Sequence, residues 1–191
     1  DNSLSIQMAA RHLRYQWFGE LIRQQQFEAV AVAQHADDVA ETILLNLIRG
    51  TGLAGLHGIK AVNRNIIRPI LFATRHTIEQ YATEHGLLWR EDTSNADTYY
   101  LRNKIRHDVL PLLATINPDI SNSLVQHAGI IEGYEDLLAP CIAEFESGLV
   151  RNLNNGAVKI ISLAGLKSSP APAILLYHFL KPYGINATLC K

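Results

Sequence analysis

A short acidic segment follows an apolar run in the first quarter of the chain. The apolar run is Ala29 to Ala33, and the segment after it contains His35, Asp37, Asp38 and Glu41. Imidazole and carboxylate groups can bind an ammonium group or transfer protons, and such hard ligands also suit Mg²⁺. Two acids in a first helical turn also stabilise a helix through its dipole. The segment therefore has both a chemical and a purely structural interpretation.

A second set of polar residues follows much later in the chain. Arg102 and Arg106 are four residues apart, so they share one face of a helix. Aligned guanidinium groups suit a carboxylate or a phosphate, and a solvated basic face is the simpler interpretation. Asp92, Ser94 and Asn95 precede them as turn and cap residues.

Alternating strands and helices are expected to place these residues. Hydrophobic spacing predicts helices over residues 5–24, 37–49, 74–85, 119–150 and 172–180, and strands over residues 29–33, 66–72, 87–90 and 158–163. The run 29–33 is typical of a buried parallel strand, and Asp37 is expected to be the N-cap of the next helix. Ligands of open α/β sheets bind at the carboxyl ends of strands, where this turn lies.

The helix after the strand has a clear apolar face. That face consists of Ala40, Ile43, Leu44, Leu47 and Ile48 and is expected in the core, with Glu41 at its edge. Arg49 ends the helix, and a glycine-rich loop over residues 50–58 follows, which permits left-handed backbone. Arg68 and Arg75 are weaker candidates at loop edges.

Composition excludes several classes of protein. The chain has 191 residues and a net charge of −1, and its two cysteines, Cys141 and Cys190, lack Cys-x-x-Cys spacing. This excludes a disulfide scaffold, a thiolate zinc site and a cysteine-ligated iron–sulfur cluster. There is no signal peptide and no long apolar run, so we expect a cytoplasmic protein with no membrane partner. Because the chain begins at Asp1 and its only methionine is Met8, we expect a part of a longer polypeptide.

The motifs resemble those of the tRNA(Ile)-lysidine synthetases, members of the PP-loop ATP pyrophosphatase superfamily. The matching segments, in order, are His35-Ala-Asp-Asp-Val-Ala-Glu-Thr42, Leu-Ile-Arg49-Gly-Thr-Gly-Leu, Arg68-Pro, Glu-Asp92-x-Ser-Asn95 and Arg102-Asn-x-Ile-Arg106. Two features depart from the family pattern. Gln34 stands where the family usually has the first of two histidines, and the Ser-Gly-Gly-x-Asp-Ser ATP loop is absent and would precede residue 1.

The resemblance implies an α/β fold, namely part of a parallel-sheet PP-loop domain (Rossmann-like, similar to adenine nucleotide alpha hydrolases) followed by a mostly helical domain. We expect the boundary near residue 107, with residues 108–191 forming a helical linker and the start of a tRNA-contacting region. The implied activity is ATP-dependent ligation of L-lysine to the wobble cytidine of isoleucine tRNA, through an adenylated tRNA intermediate. ATP and Mg²⁺ are the implied substrate and cofactor, and a homodimer is compatible with the family. Without the ATP loop, we expect residues 1–191 alone to be inactive.

The resemblance also assigns roles to residues. Asp38, Glu41 and Arg106 would act on lysine, the acids binding its ammonium and the guanidinium its carboxylate. His35, Asp37, Arg49, Arg102 and Asn103 would bind substrates. The residues that bind ATP and the metal stay unassigned.

Three other interpretations stay open at this point. A PP-loop thiolase that modifies tRNA commonly needs paired cysteines, which this chain lacks. An isoprenoid-type Mg²⁺ enzyme would explain Asp38-Val-Ala-Glu41, but that fold needs a second acidic motif, and the sequence has none. A tRNA-binding module without activity is the non-enzymatic alternative.

Overall fold

The computed structural model describes residues 6–90, 101–153 and 158–184 of the chain. The elements of the first part are α1 (Ile6–Gln25), β1 (Val30–Ala31), α2 (Ala36–Ile48), α3 (Leu53–Leu56), β2 (Val62–Asn63), β3 (Ile66–Ile67) and α4 (Arg75–Glu84). Those of the second part are α5 (Leu101–Lys104), a π-helical turn (Ile105–Val109), α6 (Leu110–Ile116), α7 (Ile120–Leu149), β4 (Val150–Leu153), β5 (Val158–Ile161), α8 (Leu163–Ser168), α9 (Pro172–Leu180) and a 3₁₀ turn (Lys181–Tyr183).

The first sheet is small and mixed, in the order β1-β3-β2. β1 pairs in parallel with β3, and β2 pairs with β3 in the antiparallel direction. The strand predicted over residues 29–33 exists, but it is two residues long and lies at an edge of this described sheet, with Ala31 and Ala33 exposed. The prediction of a fully buried strand there is therefore wrong.

Two other strand predictions also need correction. The strand predicted over residues 66–72 ends at Ile67, because Pro69 has no N–H to donate to a neighbouring strand. Residues 87–90 form no strand, and Leu88 is fully exposed. The helix between them matches its prediction closely: Thr74 caps α4 by accepting a hydrogen bond from the Thr77 N–H, and Gly86 beyond its end has a φ of +62°.

The core of the molecule is built around α2. One cluster joins Val39 and Ile43 of α2 to Ala128 of α7, and a second joins Ala40 to Ile105 and Leu110. The predicted apolar face is correct for Ala40 and Ile43 but wrong for its last turn, where Leu47 and Ile48 are each 58% exposed. The members that α2 contributes to the two clusters, Val39, Ala40 and Ile43, all precede its last turn, so no buried cluster member covers the end of the helix.

The glycine loop packs against the middle of α2. Gly58 has a φ of +67°, and a Cβ at this position would lie 2.8 Å from a methyl group of Val39. Only glycine fits both the left-handed backbone and the close approach. Two residues after the loop, Lys60 Nζ lies 3.1 Å from Glu132 Oε1 of α7. The loop therefore packs on α2, and the chain just after it contacts α7.

The last part of the chain has a separate apolar cluster. Phe145 of α7, Leu166 of α8 and Phe179 of α9 are buried together beside the β4–β5 hairpin. The sequence predicted α9 with its observed bounds and the strand that became β5, but it did not predict β4 or α8. In the described ranges, no helix has the length and hydropathy needed to cross a membrane.

Candidate functional site

The site is organised by the first turn of α2. His35 is the N-cap and has an extended backbone, with φ −128° and ψ −179°, so the prediction of Asp37 as N-cap is wrong by two residues. The Asp38 carboxylate accepts a hydrogen bond from the His35 N–H at 3.1 Å, and the Ala36 N–H donates to the carbonyl of Ala73 at 2.8 Å. Asp37 is thereby freed to contact other elements with its side chain.

Glu41 is the centre of a buried charge cluster. The residue is 1% exposed, not at the edge of the apolar face as the spacing suggested. Arg106 donates to both Glu41 oxygens, from Nε and, at 3.1 Å, from Nη2. Arg102 Nε donates to Oε2 at 2.8 Å. Both Glu41 oxygens are therefore occupied by guanidinium donors.

Asp38 lies beside this cluster with looser contacts. Its Oδ1 is 3.5 Å from Arg102 Nη2 and 3.4 Å from Arg106 Nη2. Burial lowers the pKa of the Arg106 guanidinium, but the hydrogen bonds to Glu41 and the charges of both acids outweigh it and raise the pKa. Two carboxylates and two guanidinium groups from distant parts of the chain thus form a neutral, ordered set.

A local change in helix type accompanies the two arginines. Arg102 lies in α5, whereas Arg106 lies in the π-helical turn that follows, with Ile105 fully buried between them against Ala40. Single π-helical turns are rare and are frequent at functional sites. The packing of Ile105 holds the segment on α2, so that both guanidinium groups reach the acids.

Asp37 joins three segments of the chain. Its Oδ1 accepts a hydrogen bond from the Ser121 hydroxyl, its Oδ2 accepts one from the Arg75 N–H at 2.7 Å, and the same Oδ2 lies 3.5 Å from His35 Nδ1. Burial alone would raise the pKa of Asp37, but these contacts together hold it far below its usual range. The Asp37 carboxylate in turn raises the pKa of His35 against the opposing effect of burial, with smaller contributions from Asp38 and Glu41.

A cavity of about 650 Å³ opens beside these side chains. Its walls come from the first turns of α2, α4 and α7 and from the segment that carries Arg106. His35, Asp37, Glu41 and Arg106 all line it, whereas Asp38 and Arg102 do not. Four of the predicted site residues therefore border an open space large enough for a small polar ligand.

The same residues do not form a metal site. Within the described ranges, no group of three or more His, Cys, Asp or Glu side chains is arranged to hold a metal ion. Both oxygens of Glu41 serve the arginines, and both oxygens of Asp37 serve Ser121, Arg75 and His35. These side chains therefore do not fit the expected Mg²⁺ ion, because their oxygens already have other partners.

Other predicted site residues lie elsewhere or outside the described part. Arg49 is exposed at the far end of α2, about 20 Å along the helix axis from His35. Asn103 is half-buried in α5, next to Arg102. Asp92, Ser94 and Asn95 fall outside the described residues.

Sequence reasoning missed or undervalued several groups that complete the site. Ser121 and the Arg75 N–H gave no motif signal, although the helix predicted over residues 74–85 located the first turn of α4. Arg68, expected at a loop edge, is buried, and it donates to the Gln34 side chain and to the Lys60 carbonyl. Gln34, at the departure from the family pattern, thus accepts a hydrogen bond from a buried arginine.

Comparisons with known proteins give relatives of the chain. The chain is 44% identical over 189 residues to a tRNA(Ile)-lysidine synthase from Porphyromonas gingivalis, which covers 97% of this chain and 40% of that protein. It is 37% identical over 191 residues to the enzyme of the same name from Bacteroides thetaiotaomicron, covering all of this chain and 43% of that protein. The chain therefore spans about two fifths of the length of these curated relatives.

A solved structure shows the fold alone. The U34-tRNA thiolase NcsA from Methanococcus maripaludis, with its [4Fe-4S] cluster, matches 68% of this chain and 45% of its own chain, with a TM-score of 0.53 and 17% sequence identity. A model of the PP-loop domain matches residues 1–113, which include α2 and both arginines. Together with the PP-loop match, the likeness indicates an α/β fold like that of the nucleotide alpha hydrolases. On this match over more than half of its length, the chain belongs to the PP-loop domain family.

Proposed function

We propose that this protein is a tRNA(Ile)-lysidine synthase of the cytoplasm, which joins free L-lysine to the wobble cytidine of isoleucine tRNA. In the first step the 2-carbonyl oxygen of the cytosine attacks the α-phosphate of ATP, and pyrophosphate leaves. In the second step the side-chain amine of lysine attacks C2 of the base, the C–O bond to the adenylate breaks, and AMP leaves. The amine loses a proton as the new C–N bond forms.

The observation that carries the proposal is the charge cluster at α2. Asp38 and Glu41 meet Arg102 and Arg106, which lie 61 to 68 residues away in the sequence. A lysine substrate carries an ammonium group and a carboxylate, so it needs both signs of charge side by side. The relatives are named tRNA(Ile)-lysidine synthases, and lysidine is formed with lysine. Their names therefore also support a lysine substrate.

The contacts suggest distinct roles for the charged residues. Glu41 is fully engaged by guanidinium donors, so it holds Arg102 and Arg106 in place. Arg106 lines the cavity, and its hydrogen bonds to Glu41 use Nε and Nη2, so we assign its Nη1 to the lysine carboxylate. Asp38 Oδ2 accepts from the His35 N–H, whereas Oδ1 has only long contacts with the two arginines. We therefore assign Oδ1 to the ammonium and to the proton that it releases.

The test separates the two steps in the complete polypeptide. Asp38→Ala, Glu41→Ala and Arg106→Ala should each abolish lysine transfer while leaving adenylation of the tRNA comparatively intact. Losing one partner of a desolvated charge pair costs about 2–5 kcal/mol, which is roughly a 30- to 4,000-fold loss. Adenylated tRNA is trapped without lysine, and lysine is then added at rising concentrations.

Arg64→Ala and Glu84→Ala serve as matched controls, because both residues are exposed and lie away from the cavity. Both controls should transfer lysine at the rate of the unchanged protein. If the three site variants fail at adenylation and saturate normally with lysine, their role is in ATP binding and the assignment is wrong.

A second experiment addresses residues 1–191 taken alone. Stabilising a departing pyrophosphate needs preorganised donors, and the Ser-Gly-Gly-x-Asp-Ser loop that the family uses is not in this sequence. The isolated chain should therefore release pyrophosphate only at background level. Robust release that depends on isoleucine tRNA would show that this loop is not required.

A further inference from the structure

Ser121 is a buried polar residue outside the part of the chain that matches the PP-loop domain. It lies in the first turn of α7 and is 9% exposed, whereas the family match ends at residue 113. Its hydroxyl donates a hydrogen bond to Asp37 Oδ1 across 84 residues of sequence. The helix that follows the matched region therefore contributes directly to the site.

The Asp37 carboxylate is the group through which this contact acts. With Oδ1 bound by Ser121, Oδ2 is directed to the Arg75 N–H and towards His35 Nδ1. His35 Nδ1 is buried and has no hydrogen bond of good geometry, so its surroundings depend on how this carboxylate is turned. The terminal torsion of an aspartate is soft and does not hold one orientation without partners.

We propose that Ser121 is a positioning residue of the site: its hydroxyl fixes the Asp37 carboxylate in the orientation that faces His35 and the start of α4. The inference rests on the proposed function and deepens it. Among the described residues, Asp37 and His35 form no hydrogen bond or ion pair with Arg102 or Arg106, and His35 contacts Asp38, which lies between them and the arginines. The resemblance places His35 and Asp37 among the substrate-binding residues but not among those that act on lysine, so we assign them to the nucleotide or the activated base. Ser121 therefore serves the nucleotide or base through His35, and not the lysine contacts.

The experiment measures both reaction steps of Ser121→Ala in the complete polypeptide. Hydrogen bonds to charged groups are the stronger ones, so we expect adenylation to slow by about 10- to 100-fold. Lysine transfer from preformed adenylated tRNA should change by less than about 3-fold, since the Glu41 and Arg106 contacts stay. Ser121→Thr, which keeps the hydroxyl, should recover most of the adenylation rate.

Ser123→Ala is the matched control. Ser123 lies two residues further along α7, is half-buried, and accepts a hydrogen bond from Asn117 outside the cavity. It should leave both steps unchanged. In an Asp37→Asn background, Ser121→Ala should add almost nothing, because a residue that acts through Asp37 has no further effect once Asp37 is altered.

A spectroscopic readout keeps the inference separate from the proposed function. The ring resonances of His35 should move in Ser121→Ala in the same direction as in Asp37→Asn, and should stay unchanged in Ser123→Ala. If the unchanged protein forms no lysidine, the proposed function fails, yet this readout still decides the role of Ser121. Unmoved His35 resonances, or equal slowing of both steps, would overturn the inference.

Discussion

The region around α2 and the region around α9 each bury a small set of side chains, but the two sets differ in kind. Around α2 the buried residues include Glu41, Arg68 and Ser121, whereas the cluster of Phe145, Leu166 and Phe179 is purely apolar. Buried ion pairs add little net stability, because desolvation offsets their attraction. Among the described residues, two of these three polar groups, Glu41 and Ser121, line the cavity, whereas Arg68 does not. Buried polar groups at a cavity point to chemistry around α2, and the apolar cluster points to structural support around α9.

The apolar region should dominate the stability of the end of the chain. Phe179→Ala should lower the free energy of unfolding by about 3–5 kcal/mol, since it removes a buried ring and leaves a cavity against Phe145 and Leu166. Leu163→Ala, at a residue that is 68% exposed in the same region, should cost less than about 1 kcal/mol. Urea denaturation measures both. Equal losses in the two variants would mean that the cluster is not a core.

The charge cluster should contribute less, and by a different mechanism. Glu41→Gln removes the negative charge and turns one of the two acceptor oxygens into an N–H donor that faces the guanidinium groups, so it should lower the free energy of unfolding by about 2–3 kcal/mol. The loss is below that of a fully buried pair, because the arginine side chains are 26% and 37% exposed and water screens them.

Glu132→Gln is the matched control for Glu41→Gln. Glu132 pairs with Lys60 at 3.1 Å, but both side chains are exposed, so its loss should be within about 1 kcal/mol. A Glu132→Gln variant as unstable as Glu41→Gln would remove the distinction between the buried and the exposed pair.

The sequence predicted the helices of both regions well and the site only in part. The apolar spacing of α2, the Thr74 cap and the bounds of α9 follow from local patterns. The burial of Glu41 does not, because it depends on Arg102 and Arg106, which chain spacing alone cannot bring to α2. The predicted strand lengths were wrong for a similar reason, because the length of a strand depends on the strands with which it pairs.

The pH dependence of stability should distinguish the regions further. Asp37, followed by the charges of Asp38 and Glu41, raises the pKa of His35, so the folded state binds its proton more tightly than the unfolded state. This stabilisation is fully present below pH 6.5 and is lost as the pH rises through the folded pKa. Asp37 has a lowered pKa, so its contribution is present above about pH 4 and is lost in acid.

Asp37→Asn should bring the pKa of His35 back towards 6.5 and flatten the change in stability between pH 6 and 8. Titration of the His35 ring by NMR and urea denaturation across that range measure the two effects. The Phe179→Ala variant should keep the His35 titration of the unchanged protein, because the apolar cluster has no charged member. If the pKa of His35 were the same in Asp37→Asn as in the unchanged protein, the two side chains would not be coupled.

The smallest effect is expected from two helix caps, one in each region. Thr74 accepts a hydrogen bond from the Thr77 N–H at 3.2 Å, and Ser162 accepts one from the Gly165 N–H at 3.3 Å. Each alanine variant should lose about 1 kcal/mol of stability, since one N–H of a helix start is left without its acceptor.

The functional outcome should differ, because only Thr74 lines the cavity and lies next to the N–H that holds Asp37. Thr74→Ala should therefore shift the His35 ring resonances and slow adenylation by a few-fold, about the effect of one weakened hydrogen bond, whereas Ser162→Ala should change neither. If both variants lose the same stability and neither shifts the His35 ring resonances, the start of α4 only supports the fold, as the start of α8 does. The site is then confined to α2, Ser121 and the two arginines.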